Sequence, residues 1–363
     1  MTTADSDRAV RRWLGWSIAA VLLAVAIGGI TRLTESGLSI TEWQPVTGIL
    51  PPLGADDWER AYQSYLLIPE ARGVHLGITL PEFRVLFWWE WIHRVLARLV
   101  GLVLAVPYLV LLARGAIRRP LRWRLAALPI LAGAQGALGW YMVRSGLEVG
   151  PSVSAYRLTA HLAMALLIFG VCAWTLLDLQ PTEGSAPASP PIRYGIAAAL
   201  GLAAVTLLSG GFVAGLDAGH IYNTFPLMGG RVVPLAYRIP ELGWRNPFEN
   251  PVAAQFNHRV LAITTAAMLG ALWTVTRRQR VHAAHQALSA ALVLVVVQVA
   301  LGIATLLLRV PVTIAVLHQV NGVLLLGGLI TALHRVGHHP DASVNRHNET
   351  LGTRASPRVE EAT

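Results

Sequence analysis

Residues 91–113 read WIHRVLARLVGLVLAVPYLVLLA, an apolar run broken only by His93, Arg94 and Arg98 near its start and by Pro107 further on. A helix crosses about 30 Å of hydrocarbon with roughly 20 such residues, and a proline is tolerated there when neighbouring helices re-satisfy the freed backbone groups. Working outward, seven more runs have the same character: Trp13–Ile30, Leu125–Val143, Leu158–Leu177, Ile196–Val213, Val260–Val275, Ala284–Leu308 and Val312–Leu333. The run at Val260 is short at its apolar core. It reaches membrane length by starting near Ala254, which places Asn257, His258 and Arg259 inside it. The first run is not followed by a small-residue cleavage pattern and continues into Gly28-Gly29-Ile30-Thr31-Arg32, so it is kept as a span and not read as a signal peptide. Composition agrees: 54% of the residues are hydrophobic and 13% charged, about half the charge of a soluble domain. A soluble globular domain and a disordered chain are both excluded. The expected fold is an all-α integral membrane protein with eight transmembrane helices.

The balance of 29 basic against 20 acidic residues gives +9, and every basic residue is arginine. In a soluble protein that excess would suggest nucleic acid. Here it reports orientation, and no nucleic-acid partner is expected. Arg8, Arg11 and Arg12 precede the first span, Arg114 to Arg124 follow the second, Arg277, Arg278 and Arg280 follow the sixth, and Arg335 follows the eighth. With eight spans these all fall on one side. Residues 1–12 are then a cytoplasmic N-terminus, both termini are cytoplasmic, and the long segments 32–87 and 215–251 face outward. Trp88, Trp89 and Trp91 suit an outer interfacial belt, Trp13 and Trp16 an inner one. The Pro- and Ser-rich stretch 180–192 reads as a cytoplasmic linker, and residues 336–363 as a disordered tail. One cysteine, Cys172 within a span, rules out an internal disulfide and suits a packing role.

The linker divides the spans four and four, and the halves repeat. Glu90-Trp-Ile-His93-Arg94 aligns with Gln255-Phe-Asn-His258-Arg259, Gln135-Gly-Ala-Leu-Gly139 with Gln298-Val-Ala-Leu-Gly302, and His161 with His318. Four spans per half keep both halves in one orientation, which gives two pseudo-symmetric four-helix bundles, residues 13–179 and 193–335. Of twelve histidines, these four lie in spans two, four, six and eight, each near the outer end. Ionisable groups in the membrane are expensive and mark function. A single histidine could be explained by an interhelical hydrogen bond, but two repeat-related pairs at one depth point to bis-imidazole ligation of haem iron. A non-haem metal usually recruits more ligands. The other histidines, including His75, His220 and His334, are read as structural or solvated.

Glu90 lies three residues before His93 on one helix face, and its repeat partner is Gln255. The carboxylate therefore accompanies one histidine pair only. It either pairs locally with Arg94 or serves as acid, base or cation stabiliser in one bundle. Because the repeat carries Gln at this place, exchange of Glu90 for Gln is expected to pack without strain. Arg32, Arg94, Arg98 and Arg259 lie near the outer ends of their spans, suited to haem propionates or to lipid headgroups.

The segments GGITRLTESGLSITEWQPVTGILPPL (28–53) and GGFVAGLDAGHIYNTFPLMGGRVVP (210–234), with EWIHR at 90–94 and NHR at 257–259, resemble haem A synthase of the class shared by alphaproteobacteria and mitochondria. The likeness covers all eight spans. It implies an enzyme of the bacterial inner membrane that oxidises the ring D methyl of haem O to a formyl group, making haem A for cytochrome oxidase. It implies a haem b cofactor ligated by His258 and His318, haem O received near His93 and His161, and Glu90 as the functional carboxylate. Some relatives carry a cysteine pair in the first outer loop, but this chain has none there, so loop cysteines have no redox role in it. The residues alone leave two other classes open. A bis-haem cytochrome b-type electron carrier explains four histidines but not the Glu90/Gln255 divergence. A parallel-repeat transporter asks for a midplane polar site, whereas the ionisable groups here gather toward one face. The sequence does not identify the electron donor, the source of the formyl oxygen, a partnership with the farnesyltransferase that makes haem O, or whether the chain is a homo-oligomer.

Overall fold

The computed structural model describes residues 2–44, 47–148, 150–180 and 189–337. Among them are eight helices long and apolar enough to cross a membrane. They are α1 (Thr3–Leu33), α2 (Leu80–Ala113), α3 (Arg122–Glu148), α4 (Ala155–Asp178), α5 (Pro190–Gly215), α6 (Pro251–Arg278), α7 (His282–Leu307) and α8 (Val312–Gly337). The chain is a multi-pass, all-α membrane protein.

The helices outrun the apolar runs because local capping extends them into water. Thr2 and Asp5 form a capping box that starts α1 ten residues before Trp13, so most of the expected N-terminal arm is helical. The Thr79 N–H donates to Glu82 at 2.8 Å and Pro81 occupies the first turn, so α2 begins at Leu80, well before Trp91. Of the linker, Pro190, Pro191 and Ile192 belong to α5, while 181–188 lie outside the described residues. Of the tail, Val336 and Gly337 belong to α8 and the rest lies outside them.

Helix contacts close into two rings. α1 packs on α2, α2 on α3, α3 on α4 and α4 on α1; in the second half α5 packs on α6, α6 on α7, α7 on α8 and α8 on α5. α1 and α4 meet α8, and α4 meets α5, so four helices form the seam. α8 serves both cores: Val323, Leu326 and Ile330 join the first, Leu325, Leu329 and Ala332 the second. At its C-terminal end His334 is buried and lies 2.8 Å from Asp178 of α4, which also holds Arg124 of α3.

The segment between α1 and α2 folds into a cap. An amphipathic helix, Ala55–Leu66, and a short turn, Pro69–Gly73, bury Trp58, Tyr65, Ile68 and Ala71 against Phe83 and Phe87 of the extended α2. Leu38 completes this core and fills the space where a Cβ on Gly146 of α3 would sit, 2.6 Å from its Cδ1. The ends of α1 and α5 are built alike: each helix is followed by an acidic residue in the left-handed region, Glu35 at φ 51° and Asp217 at φ 50°.

Candidate functional site

Each of the four span histidines presses its ring against a glycine on the preceding long helix. A Cβ added to Gly28 of α1 would lie 2.9 Å from Cε1 of His93 on α2, and one on Gly139 of α3 3.0 Å from Cε1 of His161 on α4. In the second half, Gly210 of α5 would place it 3.2 Å from His258 on α6, and Gly302 of α7 2.9 Å from His318 on α8. The glycines let an imidazole lie flat against a neighbouring backbone. They were visible in the sequence inside GGITR, GGFVA, QGALG and QVALG, but nothing local to those strings said that they face histidines.

The second-half pair is held in one chemical form. Ser209 Oγ donates to the Thr206 carbonyl at 2.7 Å, which uses its only hydrogen, so the 2.8 Å contact from His258 Nδ1 to Ser209 Oγ needs the proton on Nδ1. His318 Nδ1 lies 3.1 Å from the Gln298 carbonyl, an acceptor only, so it too carries its proton on Nδ1. Both rings are left with an unprotonated Nε2, the form in which imidazole binds a metal, with the second nitrogen fixed by a neighbour; on His318 that Nε2 faces the Gln298 amide nitrogen at 3.3 Å. The ring centroids are 6.4 Å apart at 81°. With about 2 Å per metal–imidazole bond, two rings on one metal have centroids roughly 6 Å apart. The donor set and the glycine cradles therefore fit a bis-imidazole haem.

The first-half pair differs. Nδ1 of both His93 and His161 is buried and has no hydrogen-bond partner among the described residues. Gln135 repeats Gln298, its amide nitrogen 3.4 Å from His161 Nε2, against 3.3 Å for the Gln298–His318 pair. Asn321 fixes the Gln298 amide at 2.7 Å, whereas Gln135 Oε1 is buried without a partner. Sequence reasoning passed over Ser209, Gln135, Gln298 and Asn321. The QGALG/QVALG match was the available signal for the two glutamines. Among the described residues no group of three or more His, Cys, Asp or Glu gathers as a metal cluster.

Glu90 is 2% exposed and saturated. Oε2 accepts from Ser39 Oγ and the Ile40 N–H, each at 2.7 Å; Oε1 accepts from Arg94 Nη2 at 2.6 Å and Nε at 2.9 Å. Four donors on two oxygens are met in full by an ionised carboxylate. Arg94 also donates to the Ile40 and Glu42 carbonyls, so the pair fastens the segment after α1 to α2. The repeat does the same with other chemistry: Arg259 donates to the Tyr222 and Thr224 carbonyls at 2.8 and 2.9 Å, and Gln255 to Tyr222 at 3.3 Å. The expectation that Gln replaces Glu90 without strain is thereby corrected. Gln255 faces a carbonyl, whereas an amide nitrogen at position 90 faces donors.

A family described as cytochrome oxidase assembly protein matches residues 11–330. The chain belongs to this family. Relatives of the chain named haem A synthase include one from Nitrosospira multiformis, 42% identical over 328 residues, 89% of this chain and 92% of the relative. Those from Rhizobium etli and Sinorhizobium fredii are 43% and 44% identical, covering 88% of both chains and 90% and 89% respectively. Two ion pairs among the described residues involve arginines singled out from the sequence: Arg94 with Glu90, and Arg32 with Asp217 at 2.7 Å, where it also donates to the Ala214 carbonyl at 2.6 Å. Arg32 thus ties the end of α1 to the end of α5. Arg98 donates to the Gln44 carbonyl at 3.0 Å. Arg259 has no carboxylate partner among the described residues, and its Nε is buried without a partner.

Proposed function

We propose that the chain is a haem A synthase, a membrane oxidoreductase that converts the ring D methyl group of haem O to the formyl group of haem A for cytochrome oxidase. The observation that carries this reading is the unequal treatment of two histidine pairs in a chain aligned over about nine tenths of its length with relatives of that name. Residues 193–335 form the cofactor bundle, in which His258 and His318 would hold haem b and the Arg259 guanidinium would be available to a propionate. Haem iron held there supplies one-electron transfer. Ser209 and Gln298 keep the two imidazoles oriented, as a resident cofactor requires. Residues 13–179 are the substrate bundle, where His93 and His161 receive haem O. Their Nδ1 atoms lack fixing partners, so the rings can adjust as substrate enters and product leaves. Glu90, one helical turn from His93 and ion-paired with Arg94, acts on the reaction by holding the segment at Ser39 and Ile40 over the substrate bundle. Orientation from the arginines puts both termini in the cytoplasm of a bacterial inner membrane, with the histidine pairs toward the outer face.

The test is co-expression with the farnesyltransferase that makes haem O, followed by mass identification of extracted haems. Haem A is expected. Haem b stably held in both bundles with no haem A formed overturns the reading in favour of an electron carrier.

A further inference from the structure

The outer cap contains a buried string of titratable groups that the reaction as described above does not use. Tyr65 is fully buried and Glu70 is 4% exposed. The Tyr65 hydroxyl lies 3.1 Å from Glu70 Oε2 and 2.6 Å from His75 Nδ1. His75 Nε2 in turn lies 3.7 Å from Glu35 Oε2, in ion-pair range, and the His75 and Glu35 side chains are 19% and 40% exposed. The string runs from an enclosed carboxyl group to water.

Its proton count is constrained. Tyr65 has one hydroxyl hydrogen and two neighbours that both accept, so satisfying both contacts needs one further proton, on Glu70 or on His75 Nδ1. In the first state the Glu70 carboxyl donates to the Tyr65 oxygen and the Tyr65 O–H donates to His75 Nδ1. In the second, Tyr65 O–H donates to the Glu70 carboxylate and His75 Nδ1–H donates to the Tyr65 oxygen. One concerted hop along two hydrogen bonds interconverts them without rotating a side chain, and His75 then releases a proton from Nε2 to Glu35 or to water.

The string stands over the proposed substrate bundle. Phe83, Phe87 and Glu90 share one face of α2, and the Tyr65 ring packs 5.1 Å from that of Phe83. Burial pushes the Glu70 carboxyl up to about 8; the Tyr65 hydrogen bond opposes this, the Glu90 and Glu35 carboxylates add to it, and Arg32 opposes it. Glu70 therefore holds its proton at neutral pH and loses it only as the pH rises through about 8. Burial and the Glu70 carboxylate raise the Tyr65 hydroxyl further, so Tyr65 passes protons without resting ionised.

We propose that Glu70, Tyr65 and His75 form a proton relay between the enclosed outer side of the substrate bundle and external water, with Glu35 as its exposed end. The proposal rests on the haem A synthase reading. With water as the oxygen source and an electron acceptor taking four electrons, R–CH3 + H2O gives R–CHO and four protons, and those protons need a way out of an apolar bundle. A relay confined to the cap serves that need without a charged residue deep in the membrane.

The test uses the purified full-length protein and the Tyr65→Phe variant, which keeps the ring that packs on Phe83 and removes only the bridging oxygen. The infrared band of a protonated carboxyl group is assigned to Glu70 by its loss in Glu70→Gln, and its exchange rate is followed on mixing with D2O. We expect the band at neutral pH in both proteins, with exchange slowed at least tenfold in Tyr65→Phe. Haem content is expected to stay unchanged while haem A formation falls by roughly tenfold or more, as when one proton-transfer group is lost. His75→Asn provides a second break in the chain and is expected to slow exchange likewise. A missing Glu70 band at neutral pH, or wild-type exchange in both variants, overturns the relay. Failure of the wild-type protein to form haem A overturns the functional reading instead, and the exchange measurement still decides the relay.

Discussion

Gly302 offers a perturbation whose size can be worked out from distances. In Gly302→Ala the new Cβ falls 2.9 Å from Cε1 of His318 and 3.7 Å from its Nε2. Carbon atoms ordinarily rest about 3.5–4.0 Å apart, so the ring has to retreat by roughly 0.6–1 Å. It cannot tilt freely, because Nδ1 is tied to the Gln298 carbonyl at 3.1 Å. Metal–ligand distances hold to within about 0.2 Å, so the retreat exceeds the tolerance several-fold. The substitution also raises helix propensity by about 0.8–1 kcal/mol, so loss of haem cannot be put down to a weaker α7. The purified variant is expected to have lost its low-spin bis-histidine haem b, read from the absorption spectrum and haem content, while still folding and inserting. Gly139→Ala, whose Cβ meets His161 at 3.0 Å, is expected to keep that haem b and lose haem A formation. Full low-spin haem b in Gly302→Ala would refute the reasoning from ring to ligand.

Two further outcomes are expected. Glu90→Gln sets an amide nitrogen against donors and removes charge-assisted hydrogen bonds worth about 1.5–3 kcal/mol each; haem b should remain, backbone exchange at Ser39 and Ile40 should quicken, and haem O should accumulate, whereas a haem A yield near wild type would reduce Glu90 to a structural partner of Arg94. A cysteine placed at Glu42 should be labelled from outside the cell and one at Arg119 should not, and the reverse pattern would overturn the orientation drawn from the arginines.

What the sequence yields here follows from how far apart the cooperating residues lie. Spans are legible because hydrocarbon demands an apolar run that is continuous along the chain, and the histidines are legible because they break such runs at matched places. Capping signals are local too, yet the reading of the spans passed over Thr79-x-x-Glu82 and Pro81, which start α2 ten residues or so ahead of its apolar core. The environment of Glu90 was not legible, since its Ser39 and Ile40 donors come from a segment about fifty residues earlier whose path is decided by Leu38 lodging at Gly146. The Arg32–Asp217 pair spans the two halves and leaves no local trace at either end. The Nδ1 partners of His258 and His318 depend on which faces of adjacent helices meet, and a repeat in sequence does not specify that.

Among the described residues the Nδ1 atoms of His93 and His161 have no partner while those of His258 and His318 are tethered, and on the proposed function this bears on how one protein handles two molecules that are nearly the same. Two porphyrins differing in a side chain cannot be told apart by iron–imidazole bond strength. They can be told apart by residence time, because a tethered ring re-forms its bond after every fluctuation, whereas an untethered one lets a transient break become a departure. On the proposed function, sorting of resident from passenger lies in the hydrogen bonds behind the ligands, and transplanting a serine or a carbonyl contact behind His93 should turn the proposed turnover site into a storage site.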